Sequence, residues 1–211
     1  MATHKILDFN KCTPTELANT CSVKPKLDDF RVSFPDLQLE LYTSQTISEP
    51  DKRACCSLVR TNLKDLYEKS SWGWSEDRKY EEMNDEAARF ILIRSKQAQE
   101  GPLLAFVSYQ VVDEENEAVM YCYEVQLDVG LRGQGIGTRL MGLVEALAVD
   151  HRLHRSMLTA FVANNAAMSF YKRLGYVTDS TSPKPRLLRG RKVFADYVIL
   201  SKALQRADDQ A

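Results

Sequence analysis

The sequence predicts an α/β fold, a mixed and mostly antiparallel sheet flanked by helices. Three observations carry this expectation. Runs rich in β-branched and aromatic residues fill 90–94, 103–112 and 119–129, parted by Gly101-Pro102 and an acidic stretch at 113–117, a pattern of three successive antiparallel strands. From Gly135 the period becomes helical, with Ile136, Leu140, Val144 and Leu147 recurring up to about Asp150. A further apolar run at 157–162 then precedes a short helix at 166–174 closed by Gly175, and 196–200 makes a last strand.

Upstream, residues 1–35 mix Thr, Asn, Lys and Asp with three prolines, and the expectation is an irregular arm. Leu37, Leu39 and Leu41 alternate with polar neighbours and Tyr42, as in a half-buried strand. Ser48 and Pro50 supply helix-start chemistry, and Leu58, Val59, Leu63, Leu66 and Tyr67 share one face of a helix over about 49–69. In Ser71-Trp72-Gly73-Trp74 a glycine between two tryptophans favours a bend that displays large rings. A polar helical segment continues through Glu81 and Met83. The organisation expected is an arm at 1–35, one domain at 36–205 and a polar tail at 206–211.

Composition narrows the function classes. Hydrophobic residues at 44% and charged residues at 27% suffice for one sizeable core. A formal net charge of -1 gives no whole-molecule field for nucleic acid or an anionic membrane, and suits a basic peptide better. No apolar run has bilayer-spanning length and residues 1–10 lack a signal-peptide core, so a soluble intracellular protein is expected. The five cysteines, Cys12, Cys21, Cys55, Cys56 and Cys122, lack zinc spacing and read as reduced thiols, with Cys122 a small buried hydrophobe. His4, His151 and His154 have no ligand spacing either, and no metal is expected.

The informative junction runs from Val125, Gln126 and Leu127 into Arg132-Gly133-Gln134-Gly135-Ile136-Gly137-Thr138, where an apolar strand hands over to an amphipathic helix. Missing side chains let an anion approach the backbone, and the first-turn N–H groups of a helix are unsatisfied donors with partial positive charge. A diphosphate fits such an entrance, with Arg132 adding a charge-assisted contact. The order of residues is Arg-x-x-Gly-x-Gly after antiparallel strands, not the Gly-x-Gly-x-x-Gly of a βαβ dinucleotide site. A glycine-rich turn needing positive φ is the plainer alternative.

On these residues the chain resembles the GNAT acetyltransferases, whose pyrophosphate loop reads Arg or Gln-x-x-Gly-x-Gly or Ala and is matched at each defined position of 132–137. A second block of that superfamily, an Asn before a helix ending in Tyr-x-x-Leu-Gly-Tyr or Phe, is matched from Asn164 or Asn165 through Tyr171-Lys172-Arg173-Leu174-Gly175-Tyr176. The resemblance implies a GNAT fold with acetyl-CoA as co-substrate, its acetyl and pantetheine part meeting the backbone of Val125, Gln126 and Leu127. Three further segments are similar to the NatD-type N-terminal acetyltransferases: Leu66-Tyr67-Glu68 through Trp72-Gly73-Trp74, Tyr121-Cys122-Tyr123-Glu124-Val125-Gln126-Leu127, and Leu158-Thr159-Ala160-Phe161. That likeness covers about 55–200 and implies acetylation of the amino terminus of core histones of types two-A and four, beginning Ser-Gly-Arg-Gly. It further implies histone N-terminal peptides as partners, action without an auxiliary subunit, and residence in nucleus and cytoplasm.

By the same likeness Tyr67, Trp72, Tyr123 and Tyr197 shape the peptide pocket, and Thr159 with Thr181 or Ser182 hydrogen-bonds the peptide. Asp113 and Glu114 lie where the family presents acidic groups to the substrate's arginine; Val112 occupies one acidic position, which leaves the choice between the two open. The chemistry itself asks for a modest base: an α-amino group needs only about 1 kcal/mol to deprotonate near neutrality, against roughly 4 kcal/mol for a lysine. Glu124 is the candidate, placed by strand alternation on one face with Cys122 and Gln126, opposite Tyr121, Tyr123 and Val125, amid apolar residues that raise its basicity. A water relays the proton; the superfamily resemblance implies that a backbone N–H near Val125 polarises the thioester where the ladder is interrupted, and that Tyr171 or else Tyr123 protonates the leaving thiolate. The alternatives are a lysine or small-amine acetyltransferase and a non-catalytic acyl-CoA sensor. The basic stretch 184–192, with Arg186, Arg189 and Arg191, reads as a solvated loop.

Overall fold

A computed structural model describes residues 2–97, 101–188 and 191–205. In chain order it runs α1 (Ala2–Lys11), α2 (Pro14–Ala18), α3 (Val23–Ser33), β1 (Leu37–Thr43), α4 (Glu49–Glu68), α5 (Glu76–Met83), β2 (Arg89–Ser95), β3 (Leu103–Glu114), β4 (Glu117–Leu127), α6 (Ile136–Asp150), β5 (Arg155–Phe161), α7 (Asn165–Arg173), β6 (Val177–Thr178), β7 (Arg186–Leu188), β8 (Arg191–Val193) and β9 (Tyr197–Ala203). Seven strands form one sheet in the order β1-β2-β3-β4-β5-β9-β6, and β7 with β8 makes a separate hairpin. Within the large sheet β4 and β5 pair in parallel and the other neighbours are antiparallel. The expected α/β architecture stands. Among the described residues no helix is long and apolar enough to cross a membrane.

The sheet separates two apolar layers. Ile91, Ile93, Val107, Tyr109 and Met120 face one side with α6 and the amino-terminal helices, while Phe90, Leu92 and Phe106 face the other with Cys55, Cys56 and Val59 of α4. Helix starts are capped as the sequence suggests: Ser48 accepts from the Asp51 N–H with Pro50 in the first turn, and Ser75 caps α5.

The irregular arm expected at 1–35 is corrected. Thr13 and Glu16 form a reciprocal capping box at the start of α2, and Pro14 sits at its first position. Phe9, Leu17, Val23, Leu27 and Phe30 are buried in the same core as α6, so no structural break falls at 35/36. The predicted tail at 206–211 lies outside the described residues.

Two irregularities prepare the site. Ser108 pairs with Glu124 but Tyr109 pairs with Cys122, so Tyr123 is an extra residue, a β-bulge. And β4 pairs with β5 only over Met120, Tyr121 and Cys122, whereas β5 continues along β9 to Phe161. Beyond Cys122 the two strands diverge, leaving β4 without a strand partner on that edge.

Candidate active site

Where β4 and β5 part, a cleft of about 570 Å³ opens, lined by Glu124, Val125, Gln126 and Leu127 of β4, by Arg132, Gly133, Gly135, Gly137 and Thr138, by Ala160 and Phe161, and by Asn164 and Tyr171. Gly133 and Gly135 have φ of +77° and +82°, which L side chains rarely adopt, and they turn the loop into α6. The first intrahelical bond of α6 runs from the Arg139 N–H to the Gly135 carbonyl, leaving the N–H groups of Ile136, Gly137 and Thr138 as the free donors of the first turn. Gly137 serves packing as well: a Cβ there meets the Phe170 ring at 3.3 Å. Free donors at a helix start beside an unpaired strand edge suit an elongated molecule with a diphosphate, and the structure brings Val125, Gln126, Leu127, Arg132, Gly133, Gly135, Gly137 and Thr138 to this one cleft.

Four members of the predicted cradle have side chains engaged within the protein. The Arg132 guanidinium donates to the Leu127 carbonyl at 3.3 Å and to Asn62 at 2.5 Å, so it knits the loop to β4 and α4. Gln134 donates to the Gly130 carbonyl at 2.7 Å, and Ile136 is fully buried in the core; any role of these two toward a ligand belongs to their backbones. Asn164 lines the cleft while its side chain caps α7 through the Ala167 N–H at 3.1 Å.

A second cleft of about 470 Å³ lies on the other side of Tyr123 and is lined by Tyr67, Trp72, Trp74, Arg78, Lys79, Glu82, Glu114, Tyr121 and Thr159 among others. Tyr123 lines both clefts. The Trp-Gly-Trp bend is held by the Arg78 guanidinium on the Trp72 carbonyl at 2.9 Å and by Asp196 on the Ser71 N–H. Trp72 packs on Tyr197 with ring centroids 4.8 Å apart and on Phe161 at 5.4 Å, and Tyr67 meets Phe161 edge-on at 4.9 Å. Thr159, the first residue of β5 beyond its pairing with β4, shares a hydroxyl contact of 2.6 Å with Tyr121.

Of the predicted peptide residues, Tyr67, Trp72, Tyr123, Thr159 and Glu114 come together, and Tyr197 braces Trp72. Asp113 does not join them: exposed, it accepts from the Asn116 N–H at 2.9 Å and shapes the hairpin turn. Thr181 is bound to Asp179 within the segment after β6, Ser182 ties that segment to β9 by accepting from the Ile199 N–H at 3.1 Å, and neither lines the cleft.

Strand alternation fails at the bulge. Cys122 lies on the α6 face with Met120, whereas Glu124, Gln126 and Tyr121 lie on the α4 and α5 face, because the extra residue at Tyr123 resets the alternation. Burial pushes the Cys122 thiol well up, in keeping with an inert core residue. Nor is Glu124 surrounded by apolar groups. Its Oε1 accepts from Lys79 Nζ at 2.9 Å and its Oε2 from Gln126 Nε2 at 2.7 Å. Burial opposes the Lys79 charge, but Glu124, Tyr67 and Glu82 outweigh it and hold the ammonium firmly protonated. Burial likewise pushes the Tyr67 hydroxyl up to about 12, and those of Tyr123 and Tyr171 upward.

Sequence reasoning missed Lys79, Glu82, Arg78 and Asn62. The first three sit in a polar helix that resembles a solvated surface; the available signal was their proximity to the Trp-Gly-Trp bend. Among the described residues no cluster of three or more His, Cys, Asp or Glu could hold a metal.

The chain matches the acetyltransferase (GNAT) family over residues 58–176. It is similar in fold to NAA60 of Arabidopsis thaliana in complex with a bisubstrate analogue (TM-score 0.59, 13% identity, 80% of this chain and 100% of that one). Further likenesses are the NatC complex bound to Gag peptide and CoA (0.58, 15%, 81% and 99%) and the ribosomal-protein-S18-alanine N-acetyltransferase of Escherichia coli (0.51, 18%, 81% and 96%). The family match takes in the whole diphosphate cradle, the bulged strand and the Asn164 helix, and the chain therefore belongs to the GNAT family of acetyl-CoA-dependent acetyltransferases.

Proposed function

We propose that the protein acetylates the free α-amino group of protein N-termini beginning Ser-Gly-Arg-Gly, those of core histones of types four and two-A. The observation that carries this reading is the meeting of two clefts at Tyr123, one built for an acyl-CoA and the other rimmed by aromatic rings and by Glu82 and Glu114. An extended peptide presents a small first residue and an ammonium to the junction, and an arginine two positions on is matched in charge by Glu114 at the rim. The solved N-terminal acetyltransferases of like fold lend the class of acceptor, and the Ser-Gly-Arg-Gly sequence rests on the NatD-like segments. With histone termini as partners, the protein acts in nucleus and cytoplasm and without an auxiliary subunit.

Acetyl-CoA supplies an activated acyl group as a thioester. Glu124 accepts a proton from the incoming amine, whose α-amino character keeps the demand small. A gap of about 10 Å³ beside Glu124, Ser108, Gln110 and Tyr123 is at the lower limit of room for one water, which would carry the proton outward. Tyr123 and Tyr171 both line the acyl cleft, and Tyr123, standing at the junction, returns a proton to the leaving sulfur.

A peptide array with mass-spectrometric localisation of the added acetyl group tests the reading. Ser-Gly-Arg-Gly termini dominate the products, and peptides with blocked termini and free lysines stay unmodified. Equal labelling of unrelated termini, or modification of the lysines, overturns the acceptor assignment.

A further inference from the structure

The Lys79 ammonium makes three hydrogen bonds: to Glu124 at 2.9 Å, to the Tyr67 hydroxyl at 3.0 Å and to Glu82 at 2.5 Å. An ammonium has three N–H donors, so each is used. The Lys79 and Glu124 side chains are both only 6% exposed. A lysine on a polar helix ordinarily keeps its charge in water, and a charge this deep is tolerated only with partners. Lys79 lines the aromatic cleft, Glu124 the acyl cleft, and their ion pair joins the two. Two carboxylates, Glu82 and Glu124, flank one ammonium, leaving one negative charge for an arriving substrate ammonium to balance.

We propose that Lys79 is a positioning residue for acyl transfer: by holding one oxygen of the Glu124 carboxylate it aims that group at the junction of the clefts. The arriving amine takes over part of the carboxylate's hydrogen bonding while Gln126 holds the other oxygen. The groups facing the pair are Glu82 from α5, Tyr67 and Cys56 from α4, Tyr123 and Gln126 from β4, and Tyr171 from α7. This inference rests on Glu124 as proton acceptor, and the test separates the two.

Lys79→Met, Glu124→Gln and the double variant are compared by steady-state kinetics on a Ser-Gly-Arg-Gly peptide, with acetyl-CoA affinity measured by calorimetry. Lys79→Met lowers kcat by about tenfold or more while acetyl-CoA affinity and the KM for the peptide change by less than about twofold, because a proton acceptor that is no longer aimed costs turnover and not binding. On the Glu124→Gln background the same substitution costs nothing further. Wild-type kcat in Lys79→Met overturns the inference and leaves Glu124 standing, as does an equal loss on both backgrounds. Full turnover by Glu124→Gln overturns both readings. Should Lys79→Met fail to fold, Lys79→Arg carries the test: the charge is kept but a planar guanidinium fork does not reproduce the three directions of the ammonium, so kcat falls with acetyl-CoA affinity unmoved, and wild-type kcat overturns the inference.

Discussion

The Gln126 amide oxygen accepts a hydrogen bond from Asn62 at 3.0 Å, and the same Asn62 amide group donates to the Leu127 carbonyl at 3.0 Å and accepts from Arg132. One side chain of α4 thus holds β4, the diphosphate loop and, through Gln126, the Glu124 carboxylate in register. Asn62→Ala removes these bonds and frees Arg132. The expected result is a KM for acetyl-CoA raised roughly five- to tenfold with a smaller fall in kcat, read from steady-state kinetics.

Asp113 and Glu114 adjoin in sequence but have separate tasks. Glu114 lines the aromatic cleft, whereas Asp113 holds the hairpin turn. Glu114→Ala should raise the KM for a Ser-Gly-Arg-Gly peptide by roughly two- to fivefold, an effect that vanishes on a Ser-Gly-Ala-Gly peptide. Asp113→Ala should leave both KM values unchanged and lower stability by about 0.5–1 kcal/mol in urea unfolding.

The pH dependence of stability has a contributor far from the clefts. Burial opposes the Asp179 charge, but hydrogen bonds from Ser201 and Thr181, and Arg155 beside it, outweigh burial and bring its carboxyl down to about 2. A depressed carboxyl stabilises the fold fully above its unfolded value and loses that stabilisation as pH falls through the folded one. Asp179→Asn should therefore cost roughly 2 kcal/mol at pH 7, less below pH about 4 and nothing below about 2. Urea midpoints measured across this range check it.

Much of this architecture was open to reading in the sequence because periodic burial writes it there. Strands β2 to β4, helices α4 and α6, and the cradle at 132–137 follow from alternation, helical spacing and glycine placement. The amino-terminal helices were also written, in Thr13-Pro14-x-Glu16 and in Val23, Leu27 and Phe30 at helical steps, but three prolines and a polar mixture masked that stripe. The site itself was harder. A lysine buried by tertiary pairing has the same local signature as one in water, so Lys79 was invisible. Nothing in Cys122-Tyr123-Glu124 announces that one residue will be skipped by its partner strand, and extrapolating an unbroken period put Cys122 on the wrong face.

The sheet closes its hydrogen-bond ladder over Cys122 and Glu124 as though nothing stood between them. Tyr123 is thus supernumerary to the scaffold: its ring, 43% exposed, owes nothing to either packed layer. A position released from structural duty is one that selection can tune for reactivity alone, and here it falls on the side chain that lines both clefts.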